Sequence, residues 1–138
     1  MDETGLSSAV TEYLSGYEGR SALAITHNVS ADVGRLQGNR EIALFRIMQE
    51  CLSNIHRHSG SSTASIRIFR EGESVIMEVT DAGRGVKRRQ DGKIVYGVGL
   101  RSMQERLRPF NGSLFLESSG VGTKVTVTLP GSPTIMPE

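Results

Sequence analysis

Residues 41–59, EIALFRIMQECLSNIHRHS, are the stretch around which the chain is organised, and their apolar pattern predicts an amphipathic helix. The apolar residues recur at intervals of three and four, as they do along one face of a helix. They are Leu44, Ile47, Met48, Cys51, Leu52 and Ile55. Because such a face can pack on a sheet, we expect this helix to contribute the centre of the core.

Glu50 and Asn54 lie four residues apart on the same helix and therefore on one side of it, beside the apolar face. We expect both side chains at the rim of the core. A carboxylate and a carboxamide held together can orient water and a hard cation, because Mg²⁺ takes oxygen ligands and retains several of its waters. On this helix alone, a solvated polar face is the simpler interpretation.

The composition suits one compact domain. A chain of 138 residues with 37% hydrophobic content supports a single core, and a net charge of +1 gives no overall field for nucleic acid or a membrane surface. Cys51, the single cysteine, lies on the apolar face, which favours a buried free thiol in a reducing compartment. The sequence shows no apolar run of transmembrane length and no signal-peptide pattern. We therefore expect a cytoplasmic location without direct membrane contact.

The flanking segments predict two further helices and five strands. Apolar spacing indicates helices over residues 5–17 and 99–109. Alternating apolar residues and turn signals indicate strands at 21–28, 63–69, 74–80, 113–118 and 123–129. The first is expected at an edge, and the other four form two hairpins. The charged segment 82–96 is typical of a mobile loop that can act as a lid.

One-sided patterning on both kinds of element predicts an α/β (α+β) two-layer sandwich. Its sheet is expected to be mixed and largely antiparallel, with about three helices packed on one face. Residues 1–130 would form the domain, and the proline-containing segment 131–138, which has no periodicity, would be a disordered tail.

Three glycine-containing motifs follow the central helix in a fixed order. Asp81-Ala-Gly83-Arg-Gly85 comes after a strand-like run, Gly97-Val-Gly99-Leu100 opens a helical one, and Gly122-Thr123 comes last. With the preceding Glu50 and Asn54, this order resembles the ATP-binding domain of sensor histidine kinases, in the GHKL (Bergerat-fold) ATPase superfamily. The resemblance covers residues from about 5 to 130, and the phrase GVGLRSMQERL is similar to kinases whose response regulators carry a helix-turn-helix output domain.

The resemblance implies a role for each residue around the adenine. Asp81 would accept a hydrogen bond from the exocyclic amine of adenine, which is worth about 1.5 to 3 kcal/mol when the acceptor is charged. Gly83 and Gly85 would let the chain pass close to the base. Gly122 and Thr123 match the last glycine box, whose hydroxyl helps to hold adenine through water.

The same resemblance implies the groups around the phosphates. Asn54 would ligate Mg²⁺, and Glu50 would be the catalytic residue that positions or polarises a water on the metal. Arg57 and His58, one turn further on, would lie near the phosphates, although a solvated helix end is the alternative for both. Free N–H groups of the segment containing Gly97, Gly99 and Leu100 would meet the β- and γ-phosphates at the start of a helix.

The function implied is transfer of the γ-phosphoryl group of Mg-ATP to a histidine outside this chain. None of His27, His56 and His58 stands in a phosphoacceptor context. The expected partners are a histidine-bearing dimerisation domain and, through it, a response regulator, with the isolated domain monomeric and without nucleic acid. The alternatives are an anti-sigma-factor serine kinase of the same superfamily and a non-catalytic nucleotide-binding scaffold.

Overall fold

The computed structural model describes residues 5–20, 23–36, 38–56, 63–82, 87–88, 94–95, 100–119 and 122–131. The helices are α1 (Gly5–Arg20), α2 (Arg40–Asn54) and α3 (Leu100–Leu107). The strands are β1 (Ala24–Val29), β2 (Thr63–Glu71), β3 (Ser74–Asp81), β4 (Lys87–Arg88), β5 (Ile94–Val95), β6 (Ser113–Ser119) and β7 (Gly122–Pro130). The predicted α+β architecture, with its three helices and both hairpins, is confirmed.

The main sheet has the strand order β1-β2-β3-β7-β6 in the described part of the chain. β1 pairs with β2 in parallel, and the other three pairings are antiparallel. The sheet is therefore mixed and largely antiparallel, with β1 at one edge as the sequence predicts. The segment predicted as a loop differs, because β4 and β5 form a short antiparallel ladder within it.

One face of the sheet carries the core. Along β3 and β7, the residues with odd numbers are buried, among them Val79 and Val125, whereas Glu78 and Lys124 belong to the other face. The buried residues of α1, α2 and α3 form a single cluster with those of the strands. All three helices therefore pack on the same face, and the opposite face carries exposed groups such as Phe115, which is 63% exposed.

Helix α2 is buried along its apolar side, and its α-helical part ends at Asn54. The N–H of Ile55 still donates to the carbonyls of Cys51 and Leu52, so the chain stays coiled just beyond that point. Residues 57–59, which the sequence also predicts as helical, lie outside the described residues. Cys51 is buried and free, as expected. None of the helices described here combines the length and apolar character needed to cross a bilayer.

The start of α2 lies at the end of the sheet where β7 finishes. Arg40 donates from Nε to the carbonyl of Pro130 over 3.4 Å, and its guanidinium lies 5.0 Å from the ring centre of Phe110. Arg70 donates to the carbonyl of Gly131 at 2.8 Å, and the N–H of Gly131 donates to the carbonyl of Glu73 at 2.9 Å. Gly131 is therefore tied to the domain, while the rest of the predicted tail, 132–138, lies outside the described residues.

Candidate functional site

Buried polar side chains mark the candidate site. In the described ranges, four polar or charged residues are buried: Glu41, Asn54, Asp81 and Thr123. Glu41 accepts hydrogen bonds from the N–H of Leu36 at 2.9 Å and from Arg35 Nε at 3.1 Å. The other three coincide with residues that the sequence assigns to nucleotide and metal binding.

Asp81 and Thr123 are brought together by the pairing of β3 with β7. They are register partners in this antiparallel pair, and each is 4% exposed on the face that the helices cover. Side chains directly opposite each other in such a pair have Cβ atoms about 5 Å apart. The strands therefore place a carboxylate and a hydroxyl side by side at the end of the sheet, although the two residues are distant in sequence.

Asn54 belongs to the helical layer, at the opposite end of α2 from Arg40. Helix α2 begins beside Pro130, at the far end of β7, and its 15 residues span about 22 Å. β7 has nine residues and spans about 30 Å, so we expect a helix that starts beside Pro130 and runs along β7 to bring Asn54 towards the end where Asp81 and Thr123 lie. Asn54 is only 1% exposed. The prediction that Asn54 lies at the rim of the core is wrong, because its side chain is buried.

Several polar atoms of these residues have no hydrogen-bond partner in the part of the chain that the structure describes. They are Nδ2 and Oδ1 of Asn54 and Oγ1 of Thr123, whereas Asp81 takes part in other interactions. A buried polar group without a partner costs about 1 to 3 kcal/mol. Folded chains retain such groups chiefly where function uses them. A carboxamide and a hydroxyl are suitable partners for Mg²⁺, its waters and a purine base.

Glu50, Leu100 and Gly122 are the other described residues assigned to the site. Glu50 is half-buried one turn before Asn54, so its carboxylate is on the same side of α2 and accessible to solvent. Leu100 opens α3 and packs, partly buried, against the core. The remaining predicted residues, namely Arg57, His58, Gly83, Gly85, Gly97 and Gly99, lie outside the described residues.

Gly122 meets the backbone of Asp81. A Cβ atom built on Gly122 would overlap the carbonyl oxygen of Asp81 and lie 3.4 Å from the Cα of Ala82. This contact is a feature that the sequence did not reveal, because nothing local to Gly122 shows which strand end it faces. The close approach of the two backbones requires glycine at position 122, where β7 passes the end of β3.

A cleft of 360 Å³ lies at the end of the sheet, lined by Asp81, Gly122 and Thr123 and by further residues, among them Thr80, Glu117 and Lys124. By strand alternation these three side chains belong to the face opposite the helices, whereas Asp81 and Thr123 point to the helical side. The cleft therefore opens at the strand ends that carry Asp81 and Thr123 and extends over the opposite face of the sheet.

Comparison with known families gives one match that covers most of the chain. Residues 39–133 match the model described as "Histidine kinase-, DNA gyrase B-, and HSP90-like ATPase". The matched range includes α2, all the glycine motifs and the three buried polar residues of the site.

Individual proteins give the same result. The chain is 32% identical over 133 residues to the sensor histidine kinase MctS of Rhizobium johnstonii, covering 96% of this chain and 29% of that protein. It is 28% identical over 131 residues to the oxygen sensor histidine kinase NreB of Staphylococcus carnosus, covering 94% and 38%. The chain thus spans less than two fifths of these relatives.

Among solved structures, full-length ShkA in complex with AMPPNP superposes with a TM-score of 0.74 at 20% identity. The superposition covers 100% of this chain and 32% of that one. At this level of identity the similarity supports the fold, and it agrees with the architecture described above.

Proposed function

Because the chain belongs to the family of histidine kinase-, DNA gyrase B- and HSP90-like ATPases, we propose that it binds Mg-ATP as the catalytic domain of a sensor histidine kinase. The observation that carries the proposal is the group of buried polar side chains formed by Asn54, Asp81 and Thr123. Two relatives that span nearly the whole chain are sensor histidine kinases. They favour this function over an anti-sigma-factor kinase or a scaffold.

Asp81 and Thr123 are proposed to recognise adenine. The carboxylate of Asp81 accepts a hydrogen bond from the exocyclic amine, and the hydroxyl of Thr123 holds the base directly or through water. Both groups are 4% exposed, so their hydrogen bonds are formed away from competing solvent. Asp81 would thereby select adenine over bases that carry a carbonyl at the same position.

Asn54 and Glu50 are proposed to hold the metal. The side-chain oxygen of Asn54 is a ligand of the kind that Mg²⁺ prefers, and Glu50, one turn away, orients a coordinated water. Bound there, Mg²⁺ neutralises charge on the β- and γ-phosphates. Arg57, His58 and the glycines 83, 85, 97 and 99 keep their predicted roles around the base and the phosphates.

The phosphoacceptor is proposed to lie on a separate, histidine-bearing dimerisation domain, from which a response regulator receives the phosphoryl group. His27 lies on an edge strand, with Nε2 3.3 Å from the hydroxyl oxygen of Thr11, and His56 follows the end of α2. Neither position resembles an acceptor helix. The domain is proposed to act in the cytoplasm and to be monomeric in isolation.

Calorimetric titration with a non-hydrolysable ATP analogue, with and without Mg²⁺, tests the binding site. Asp81→Asn should weaken Mg-dependent binding by about tenfold or more, because a charge-assisted hydrogen bond is lost. Glu78→Gln is the matched control. It makes the same chemical change on the same strand, but its carboxylate is paired with Arg67 and Lys124 on the opposite face. No binding to the wild type would contradict the proposal.

Phosphoryl transfer is tested by supplying the chain with labelled ATP and the dimerisation domain of a sensor histidine kinase, joined to its N-terminus. An acid-labile label on the acceptor, lost in Glu50→Ala, is the expected result. An acid-stable label would indicate a hydroxyl acceptor instead and would favour the serine-kinase alternative.

A further inference from the structure

The contact between Gly122 and Asp81 is the tightest that a Cβ would make with backbone at any of the described glycines; the next, at Gly112, is 3.1 Å from the carbonyl oxygen of Thr128. A Cβ on Gly122 would overlap the carbonyl oxygen of Asp81 and lie 3.3 Å from its carbonyl carbon. The corresponding clash at Gly5 is with the flexible side chain of Arg35, 2.9 Å away, and Gly72 has nothing within 4 Å. A side chain can rotate out of the way, whereas the last residue of a paired strand cannot.

The position of the Asp81 carboxylate depends directly on this backbone. Asp81 is the last residue of β3, and it pairs with Thr123, the residue next to Gly122. A Cβ on Gly122 would push the peptide of Asp81 away until ordinary contact is restored. When a group that positions a substrate is displaced by about 1 Å, the reaction rate can fall by about 100-fold.

We infer that Gly122 is a positioning residue that sets the place of the Asp81 carboxylate, and so determines adenine selectivity without contacting the nucleotide through a side chain. This inference rests on the proposed function, because it assumes that Asp81 accepts the adenine amine. It also changes the role that the resemblance implies for Gly122. The absence of a Cβ at Gly122 allows β7 to lie close to the end of β3. Of the two residues in this motif, Thr123 alone supplies a polar side chain for the nucleotide.

Gly122→Ala in the 138-residue chain provides the test, with Gly112→Ala as the matched control. A Cβ on Gly112 would also be crowded, at 3.1 Å from the carbonyl oxygen of Thr128 and 3.1 Å from Cδ2 of Leu107. Gly112 lies before β6, beside the half of β7 that is remote from Thr123. Each substitution therefore adds a methyl group against a backbone carbonyl oxygen of the sheet, that of Asp81 near the site and that of Thr128 far from it.

The measurement is the affinity for Mg-ATP and for Mg-inosine triphosphate, which carries a carbonyl in place of the adenine amine. Each variant is titrated below its unfolding midpoint, after circular dichroism has shown that it is folded. In Gly122→Ala we expect the ATP affinity to fall by about tenfold or more and the inosine triphosphate affinity by less than about threefold, because only the amine contact is misplaced. Gly112→Ala should lower the unfolding midpoint and leave the ratio of the two affinities unchanged.

A double-mutant cycle with Asp81→Asn gives a second, independent measurement. If Gly122 acts through Asp81, adding Gly122→Ala to Asp81→Asn should reduce ATP affinity little further. Additive losses, an unchanged ATP-to-inosine ratio in Gly122→Ala, or a Gly122→Ala chain that does not fold would each overturn the inference. A wild-type chain that binds ATP no better than inosine triphosphate would instead contradict the proposed role of Asp81.

Discussion

The two ends of the main sheet differ in whether their polar groups have hydrogen-bond partners among the described residues. At the end where β7 finishes, the guanidinium of Arg70 donates to the carbonyls of Asp32, Val33 and Gly131 at 3.2, 3.2 and 2.8 Å. Nearby, the buried carboxylate of Glu41 accepts two hydrogen bonds. At the opposite end, across the described residues, both amide atoms of Asn54 and the hydroxyl of Thr123 have no partner.

This difference indicates that polar groups have different roles at the two ends of the sheet. Hydrogen bonds at the Gly131 end connect β2, β7 and the segment before α2, so they contribute to folding stability. The amide atoms of Asn54 and the hydroxyl of Thr123 make no such connection among the described residues, and a buried group that stays unpaired costs about 1 to 3 kcal/mol. Substitutions at the two ends should therefore have opposite consequences for stability and for nucleotide affinity.

Asn54→Leu should give the largest effect. Leucine has the same number of side-chain heavy atoms and the same branching as asparagine, although its methyl groups are larger, and it removes both amide atoms that have no partner among the described residues. The free energy of unfolding should therefore rise by about 1 kcal/mol or remain unchanged. Loss of the proposed metal ligand should lower Mg-ATP affinity by about 100-fold. Urea unfolding and calorimetric titration measure the two quantities on the same sample.

Ser53→Ala is the control for Asn54→Leu, because Ser53 precedes Asn54 on α2 and is partly exposed. It should leave Mg-ATP affinity within about twofold, as is usual for a surface position. A clear loss of stability in Asn54→Leu, with ATP affinity retained, would show that Asn54 is a structural residue and would remove the contrast between the two ends.

Arg70→Met should have the next largest effect, at the other end of the sheet. Three backbone carbonyls lose a charged donor, and we expect the free energy of unfolding to fall by about 2 kcal/mol because hydrogen bonds to charged groups are the stronger ones. Mg-ATP affinity should not change. Arg67→Met is the control on the same strand. Its side chain is 60% exposed in a surface pair with Glu78, which is worth about 0.5 kcal/mol.

The sequence predicted the elements well, because their patterns are local. The apolar spacing along α2 and the alternation in β3 and β7 each appear within a dozen residues, and the order of the motifs indicated Asn54, Asp81 and Thr123. What it did not predict depends on contacts between distant segments. The burial of Glu41 by Arg35 and Leu36, the approach of Gly122 to Asp81 and the depth of Asn54 all follow from packing that no local pattern encodes.

Glu41→Gln should lower stability by a smaller amount. The amide keeps an oxygen that can accept the N–H of Leu36, but the charge that strengthens the bond to Arg35 is lost. We expect the free energy of unfolding to fall by about 1 kcal/mol, with ATP affinity unchanged, when urea unfolding is compared with that of the wild type. Glu105→Gln, in the exposed pair with Arg108, should cost less than about 0.5 kcal/mol. If the free energy of unfolding fell equally in the two variants, the burial of Glu41 would add nothing to the stability that its charge contributes.

Thr123→Val should give the smallest effect and distinguishes the two ends most directly, because valine has the shape of threonine without the hydroxyl. Oγ1 of Thr123 is buried and has no partner among the described residues, so its removal should raise the free energy of unfolding by about 0.5 to 1 kcal/mol. With nucleotide bound, one neutral hydrogen bond is lost, and ATP affinity should fall by about fivefold. Thr126→Val, on the opposite face of the same strand, should leave affinity unchanged. A Thr123→Val chain that is less stable and binds ATP normally would assign this hydroxyl to the fold and not to the site.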